Sequence, residues 1–184
     1  MNQMRQILRS KRRAIAHSEK DKLARKLSAK IPKISHLRSG QKLALYLPND
    51  GEIDTKYIIN FLKNRGISIY LPVLSGKKLK FAKMENRFKK NRFGISEPVS
   101  SKILNANQLN IILLPLVGFD ANKNRLGMGG GFYDRTLEFK KRQNNYKNPK
   151  LYGLAFDSQK VEKIIPQAWD VALDGVITPT AIYR

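Results

Sequence analysis

The sequence contains no cysteine, which excludes disulfides, thiolate metal sites and a cysteine nucleophile. Its only histidines, His17 and His36, sit in polar stretches flanking helical patterns, where surface positions without a catalytic role are expected. No apolar run approaches the roughly 18 residues that a membrane span requires. The first residues carry charge without the apolar core of a secretory signal. These absences predict a cytoplasmic protein with no membrane partner. Nor is there an internal repeat, a proline-rich linker or a low-complexity tract, so the 184 residues are expected to form one domain, 1–184. Acidic side chains are scarce as well: 14 Asp and Glu face 36 Lys and Arg, a net charge of +22. Apolar residues reach 41%, enough to bury a core and to exclude a wholly disordered chain.

The basic excess is uneven. Residues 1–42 carry 13 basic and 2 acidic side chains, and residues 77–92 carry 8 and 1. Such charge suits nucleic acid, an anionic surface or an anionic small molecule. The basic stretches lack interleaved aromatics, and Lys outnumbers Arg 23 to 13, which favours non-specific over specific nucleic-acid contact. A solvated basic surface accounts for the same numbers.

Hydrophobic spacing places the elements. Met4, Ile7, Leu8 and Ile15 share a helical face. Ser18 reads as the N-cap of a second helix presenting Leu23, Leu27 and Ile31 and ended by Pro32. Together these predict an N-terminal helical hairpin over 1–36. Strands are expected at Leu43–Leu47, Ile67–Leu71 (stopped by Pro72), Leu79–Met84 as an edge, Ile111–Leu114, Leu151–Phe156 and Gly175–Ile177. Helices are expected after Thr55 up to Gly66, at Tyr133–Lys141 and around Val161–Ile165. Residues 85–107 read as a turn-rich loop. The alternation predicts an α/β fold, a mostly parallel sheet flanked by helices in three Rossmann-like layers. Such sheets bind ligands beyond the C-terminal ends of their strands, which directs attention to the loops after residues 47, 72 and 115.

The densest signal follows the apolar run 111–114. Pro115 to Arg135 contains Gly127, Gly129, Gly130 and Gly131 within five positions, between a strand and an amphipathic helix. A backbone without side chains approaches a ligand closely, and its amides beside a helix start form an anion cradle. Arg125 is placed to add a cationic contact, and Asp134 to hold Mg²⁺ against the same phosphates. The segment also reads as a hinge, and Asp134 as a first-turn acid on a helix dipole. It is not a Walker A loop, because no Gly-Lys-Ser/Thr follows. Nor is it a dinucleotide fingerprint, because Phe132 stands where the third small residue belongs.

The block from Arg125 to Asp134, preceded by Leu114-Pro-Leu-Val-Gly-Phe-Asp120, resembles the signature of the 5-formyltetrahydrofolate cyclo-ligase family. Tyr46-Leu47-Pro48, Gly51 to Thr55, Phe93 to Pro98, Gly153 to Phe156, and Trp169-Asp170-Val171 through Leu173-Asp174 are similar to further blocks of that family in order and spacing. The resemblance covers nearly the whole chain. It implies ATP- and Mg²⁺-dependent closure of 5-formyltetrahydrofolate to 5,10-methenyltetrahydrofolate, with release of ADP and phosphate through an iminium phosphate.

By resemblance, Arg5, Arg9 and the run Arg125, Leu126, Gly127, Met128, Gly129, Gly130, Gly131, Phe132 and Tyr133 surround ATP. Leu47, Glu52 and Met128 to Phe132 also meet the folate, and Asp134 and Asp174 are the Mg²⁺ carboxylates. Arg125 stabilises phosphate charge, and no side-chain nucleophile is implied. Relatives often carry Lys where this chain has Gly130 and near the start of the first helix, here Met1, so Arg9, Arg125 or Lys123 inherits that charge. The substrate would be 5-formyltetrahydrofolate, including polyglutamylated forms, and the protein a monomer or weak homodimer. Plainer readings stand beside these: Glu52 as a solvated loop acid, Asp174 as a turn cap before Gly175, Trp169 as a packing residue. A basic nucleic-acid-binding protein and an ATP-binding relative with another substrate remain the alternatives.

Overall fold

The computed structural model describes residues 2–34, 37–142 and 148–184; Met1 and His36 lie outside them. Among the described residues five α-helices, α1 (Asn2–Ala14), α2 (His17–Ser28), α3 (Lys56–Asn64), α4 (Phe132–Leu137) and α5 (Phe139–Arg142), accompany twelve short strands. The strands are β1 (Lys42–Ala44), β2 (Ser68–Ser75), β3 (Lys78–Lys83), β4 (Phe88–Lys90), β5 (Ser96–Pro98), β6 (Ile103–Leu104), β7 (Ile111–Pro115), β8 (Gly118–Phe119), β9 (Arg125–Leu126), β10 (Lys150–Leu154), β11 (Gly175–Ile177) and β12 (Ile182–Tyr183).

Eight strands form one sheet in the order β12-β11-β10-β7-β1-β2-β3-β6. The inner five run parallel, and β12, β3 and β6 pair antiparallel at the two sides. Taken in chain order, the parallel strands lie 2-1-3-4-5, so the direction of winding reverses between β1 and β7. The α/β expectation is met. Alternate residues of β7 feed opposite layers: Ile111 and Leu113 pack with Leu27, Ile58 and Leu62 of α2 and α3, while Ile112 and Leu114 pack with Leu137 of α4. That two-sided burial is why the strand reads as an unbroken apolar run.

Two helices open the chain as expected, and each docks on a different part of the domain. Leu8 of α1 joins Val117, Leu126 and Ile164 beside the loops that leave the sheet, whereas Ala24 and Leu27 of α2 join the layer of α3. Ser18 does not cap α2. The helix starts two residues earlier, at His17 with Ala16 at the N-cap, and Asp21 accepts from Tyr57 Oη and pairs with Lys56 of α3.

Three further departures have local causes. Pro72 does not stop β2, which runs on to Ser75 opposite β3; β3 is then not the edge, because β6 covers it. The segment 161–165 is not helical: Val161 N donates to Phe119 O and Ile164 N to the buried Asp120 carboxylate, which removes the amides a helix would use. Residues 85–107 contain the hairpin β4–β5.

Candidate active site

The C-terminal ends of β1 and β7 and the far half of β2 open onto a cleft of about 650 Å³ at the reversal of winding. One wall is the glycine-rich turn, residues 127–131. Gly129 (φ +94°) and Gly131 (φ +62°) are left-handed, and Gly131 is the residue from which α4 starts. Arg5 on α1 donates from Nε to Gly127 O at 2.9 Å, so the N-terminal helix clamps the turn from outside.

Arg125 enters the same wall from β9. Its side chain is 7% exposed, Nη2 is paired with Asp134 Oδ1, and Nε is buried without a partner. A buried donor left unpaired costs free energy comparable to a lost hydrogen bond, so this nitrogen fits an incoming acceptor at the turn. Asp134 also accepts from Val171 N at 3.3 Å, which places Asp170, a lining residue, beside it.

The opposite wall comes from the loop after β1, which carries Leu47 and Glu52. Glu52 accepts from Asn49 N at 3.0 Å and stands 3.7 Å from the Arg12 guanidinium. Burial pushes its carboxyl up, and the Asn49 amide and Arg12 only partly counter this, leaving it at about 7. The Tyr133 hydroxyl is pushed well above its ordinary range, first by burial and then by the charge of Glu52. The rim is apolar and exposed. Phe93 at the tip of the β4–β5 hairpin meets Phe132 edge to face at 6.0 Å, and Met128, Ile165 and Trp169 stand round the mouth. At the base of the hairpin the buried Glu97 accepts from Leu74 N and Asn91 Nδ2, both at 2.9 Å.

The structure thus brings Arg5, Leu47, Glu52 and residues 125–134 to one cavity. It does not bring Asp174 there. That carboxylate accepts from Leu151 N at 2.8 Å and pairs with Lys150, at the edge where β10 begins, opposite to the cleft. Arg9 is absent from the lining and is bound to Asp50, and Lys123 sits in a turn outside the lining. Trp169 is 67% exposed at the mouth, not a core packing residue.

Residues 1–179 match the 5-formyltetrahydrofolate cyclo-ligase family. The chain belongs to that family.

Among the cyclo-ligases, the Escherichia coli (strain K12) 5-formyltetrahydrofolate cyclo-ligase is 34% identical, over 97% of this chain and all of that protein. The Haemophilus influenzae enzyme of the same name is 41% identical over 76% of each chain. Two solved structures share the fold. The Aquifex aeolicus 5,10-methenyltetrahydrofolate synthetase has a TM-score of 0.84 and 26% identity, covering 100% of this chain and 91% of that one. The Mycoplasma pneumoniae 5,10-methenyltetrahydrofolate synthetase has 0.77 and 29%, covering 97% and 98%. Membership makes this protein an enzyme, a ligase.

Reading the residues alone missed Arg12 and gave Asp170 no role. Nothing in the sequence separates Arg12 from the other basic residues of α1. Asp170 had a signal, its place in the Trp169-Asp170-Val171 block, but sequence distance cannot tell it from Asp174.

Proposed function

We propose that the protein closes 5-formyltetrahydrofolate, including its polyglutamylated forms, to 5,10-methenyltetrahydrofolate at the expense of ATP, in the cytoplasm and as a monomer or weak homodimer. The observation that carries this reading is the unpartnered Nε of Arg125 beside the left-handed glycine turn, in the cleft of a cyclo-ligase fold. The amides of the turn and the Arg125 guanidinium receive the nucleotide phosphates, with Arg5 holding the turn in place. On the other wall Glu52 accepts from the N–H edge of the pterin, Leu47 packs on its face, and the apolar rim takes the aminobenzoyl ring.

The formyl oxygen attacks the γ-phosphorus, and the bond to the ADP oxygen breaks. N10 then attacks the activated carbon and loses its proton, and the carbon–oxygen bond to phosphate breaks. Alignment and charge neutralisation suffice for such steps.

Five carboxylates and only two arginines line the cleft. Among the described residues no three His, Asp or Glu side chains converge as a metal cage. This donor set fits Mg²⁺, which takes one or two carboxylates together with substrate phosphates. Asp134 and its neighbour Asp170 would hold it, in place of the expected Asp174. When bound, the ion supplies the positive charge that lets phosphate oxygens approach these carboxylates.

The test is direct. Purified protein given 5-formyltetrahydrofolate, ATP and Mg²⁺ is expected to develop the absorbance of the methenyl product, with one ADP released per turnover. Folded protein that produces neither overturns the reading. ATP-dependent heat protection without protection by the formyl folate points instead to a relative with another substrate.

A further inference from the structure

Arg12 lies on α1 yet is fully buried. Its Nε donates to Asp50 O at 2.9 Å, Nη1 to Leu116 O at 2.9 Å, and Nη2 to Asp50 Oδ2 at 2.8 Å. Nη2 also stands 3.7 Å from Glu52 Oε1 and 3.9 Å from Met128 Sδ. One guanidinium therefore joins the N-terminal helix, the turn after β1, the loop after β7 and the glycine-rich wall. The turn it grips is strained: Asp50 is a non-glycine residue at φ +53°, followed by Gly51 at +77°. Arg9 and Arg13 also bind the Asp50 carboxylate, but from more exposed positions, and neither has a contact with Glu52.

We propose that Arg12 is a positioning residue of the reaction: it fixes the turn that aims Glu52 into the cleft and sets a positive charge 3.7 Å from that carboxylate. The proposal rests on the folate reading of Glu52. A buried arginine is a costly way to pack a helix, and an apolar side chain of similar volume holds a fold as well or better. What an apolar side chain cannot do is offset the burial of a neighbouring carboxyl. The groups facing Glu52 are Arg12 from α1, Asp50 from its own turn, the backbone amide of Asn49, and the hydroxyls of Tyr46 and Tyr133. Of these only Arg12 is cationic. Burial and Asp50 push the Glu52 carboxyl up, while the Asn49 amide and Arg12 pull it down.

The experiment compares wild type with Arg12→Met, Arg12→Lys and, as a control, Arg13→Ala. In ligand-free protein the Glu52 carboxyl is titrated by infrared difference spectroscopy, with Glu52→Gln identifying its band. The wild-type midpoint is expected at about 7. In Arg12→Met it is expected to rise by about one unit or more, the usual effect of a lost cationic neighbour. In Arg13→Ala it stays where it was. In turnover, Arg12→Lys is expected to raise KM for the formyl folate at least severalfold with a smaller change in kcat, because an ammonium cannot reproduce the guanidinium fork. The acid limb of kcat/KM should follow the infrared midpoint.

An unchanged midpoint in Arg12→Met, or an equal shift in Arg13→Ala, overturns the proposal. If Arg12→Met does not fold, Arg12→Lys decides: normal KM and an unmoved acid limb overturn it. If the wild type makes no methenyl product, the folate reading fails, and the infrared titration alone then decides whether Arg12 sets the charge of Glu52.

Discussion

A β-carbon added at Gly127 meets nothing within 4 Å, and the backbone there is not left-handed. Alanine at this position should leave folding stability within about 0.5 kcal/mol of wild type. Gly131 differs: at φ +62° its added carbon would lie 2.6 Å from Arg135 Nη1, the movable end of a long side chain. Most of the cost of Gly131→Ala is then backbone strain, about 1–2 kcal/mol. The pair separates a ligand's demand for bare backbone from the fold's. Gly127→Ala is expected to melt like wild type in denaturant titration yet lose at least about tenfold in kcat/KM for ATP, about 1.4 kcal/mol of transition-state contact. Wild-type kinetics in Gly127→Ala would show that no nucleotide approaches the turn. Glycines of this kind are legible in a sequence because no other residue does their work. The acidic residues are not. Nothing in residue type separates Asp170, which lines the cleft, from Asp174, whose carboxylate is held by the Leu151 amide at the start of β10.

At the scale of the element, α1 is held by two kinds of force. Leu8 is buried against Val117, Leu126 and Ile164, and three arginines of the helix converge on Asp50. Burial alone would raise the Asp50 carboxyl, but hydrogen bonds from Arg9, Arg13 and Arg12 outweigh it and hold it at about 2, against an ordinary 3.8. A carboxyl held low in the folded state stabilises it fully above its unfolded value and loses that contribution as pH falls. Between about pH 4 and pH 2 the anchor is therefore expected to fail, with amide exchange of α1 accelerating while the α3 amides, buried through Ile58 and Leu62, stay protected. Asp50→Asn should reproduce this at neutral pH. Exchange of α1 and α3 rising together would mean that α1 is not a separately anchored unit. The existence and type of α1, α2, α3 and the parallel strands were readable from apolar period alone. What was not readable depends on partners distant in sequence. Pro72 stays in β2 opposite Phe81 of β3, and Asp120 takes the Ile164 amide that a helix at 161–165 would have used.

The charge of the whole molecule is distributed against expectation. The chain carries +22, yet five of its 14 acidic side chains line the cleft with only two arginines. Three of the five already have a cationic neighbour, Asp50 three arginines, Glu52 Arg12 and Asp134 Arg125. The positive field must therefore come from the surface outside the cleft, where it acts at long range on approaching anions and not on the bound state. Steering of this kind raises association rates by about 10- to 1,000-fold and is screened by salt, the Debye length falling from about 30 Å at 0.01 M to about 3 Å at 1 M. Bound phosphates held by amides and buried guanidinium are screened much less. Raising NaCl from about 50 to 500 mM is thus expected to lower kcat/KM for ATP and for the formyl folate severalfold, with kcat little changed. The same field attracts nucleic acid, and a gel-shift titration should lose binding by ~200 mM salt, as counterion release requires of non-specific contacts. A salt-independent kcat/KM would remove steering as the reason for the basic surface. Nucleic acid retained tightly at ~200 mM would give that surface a specific partner instead.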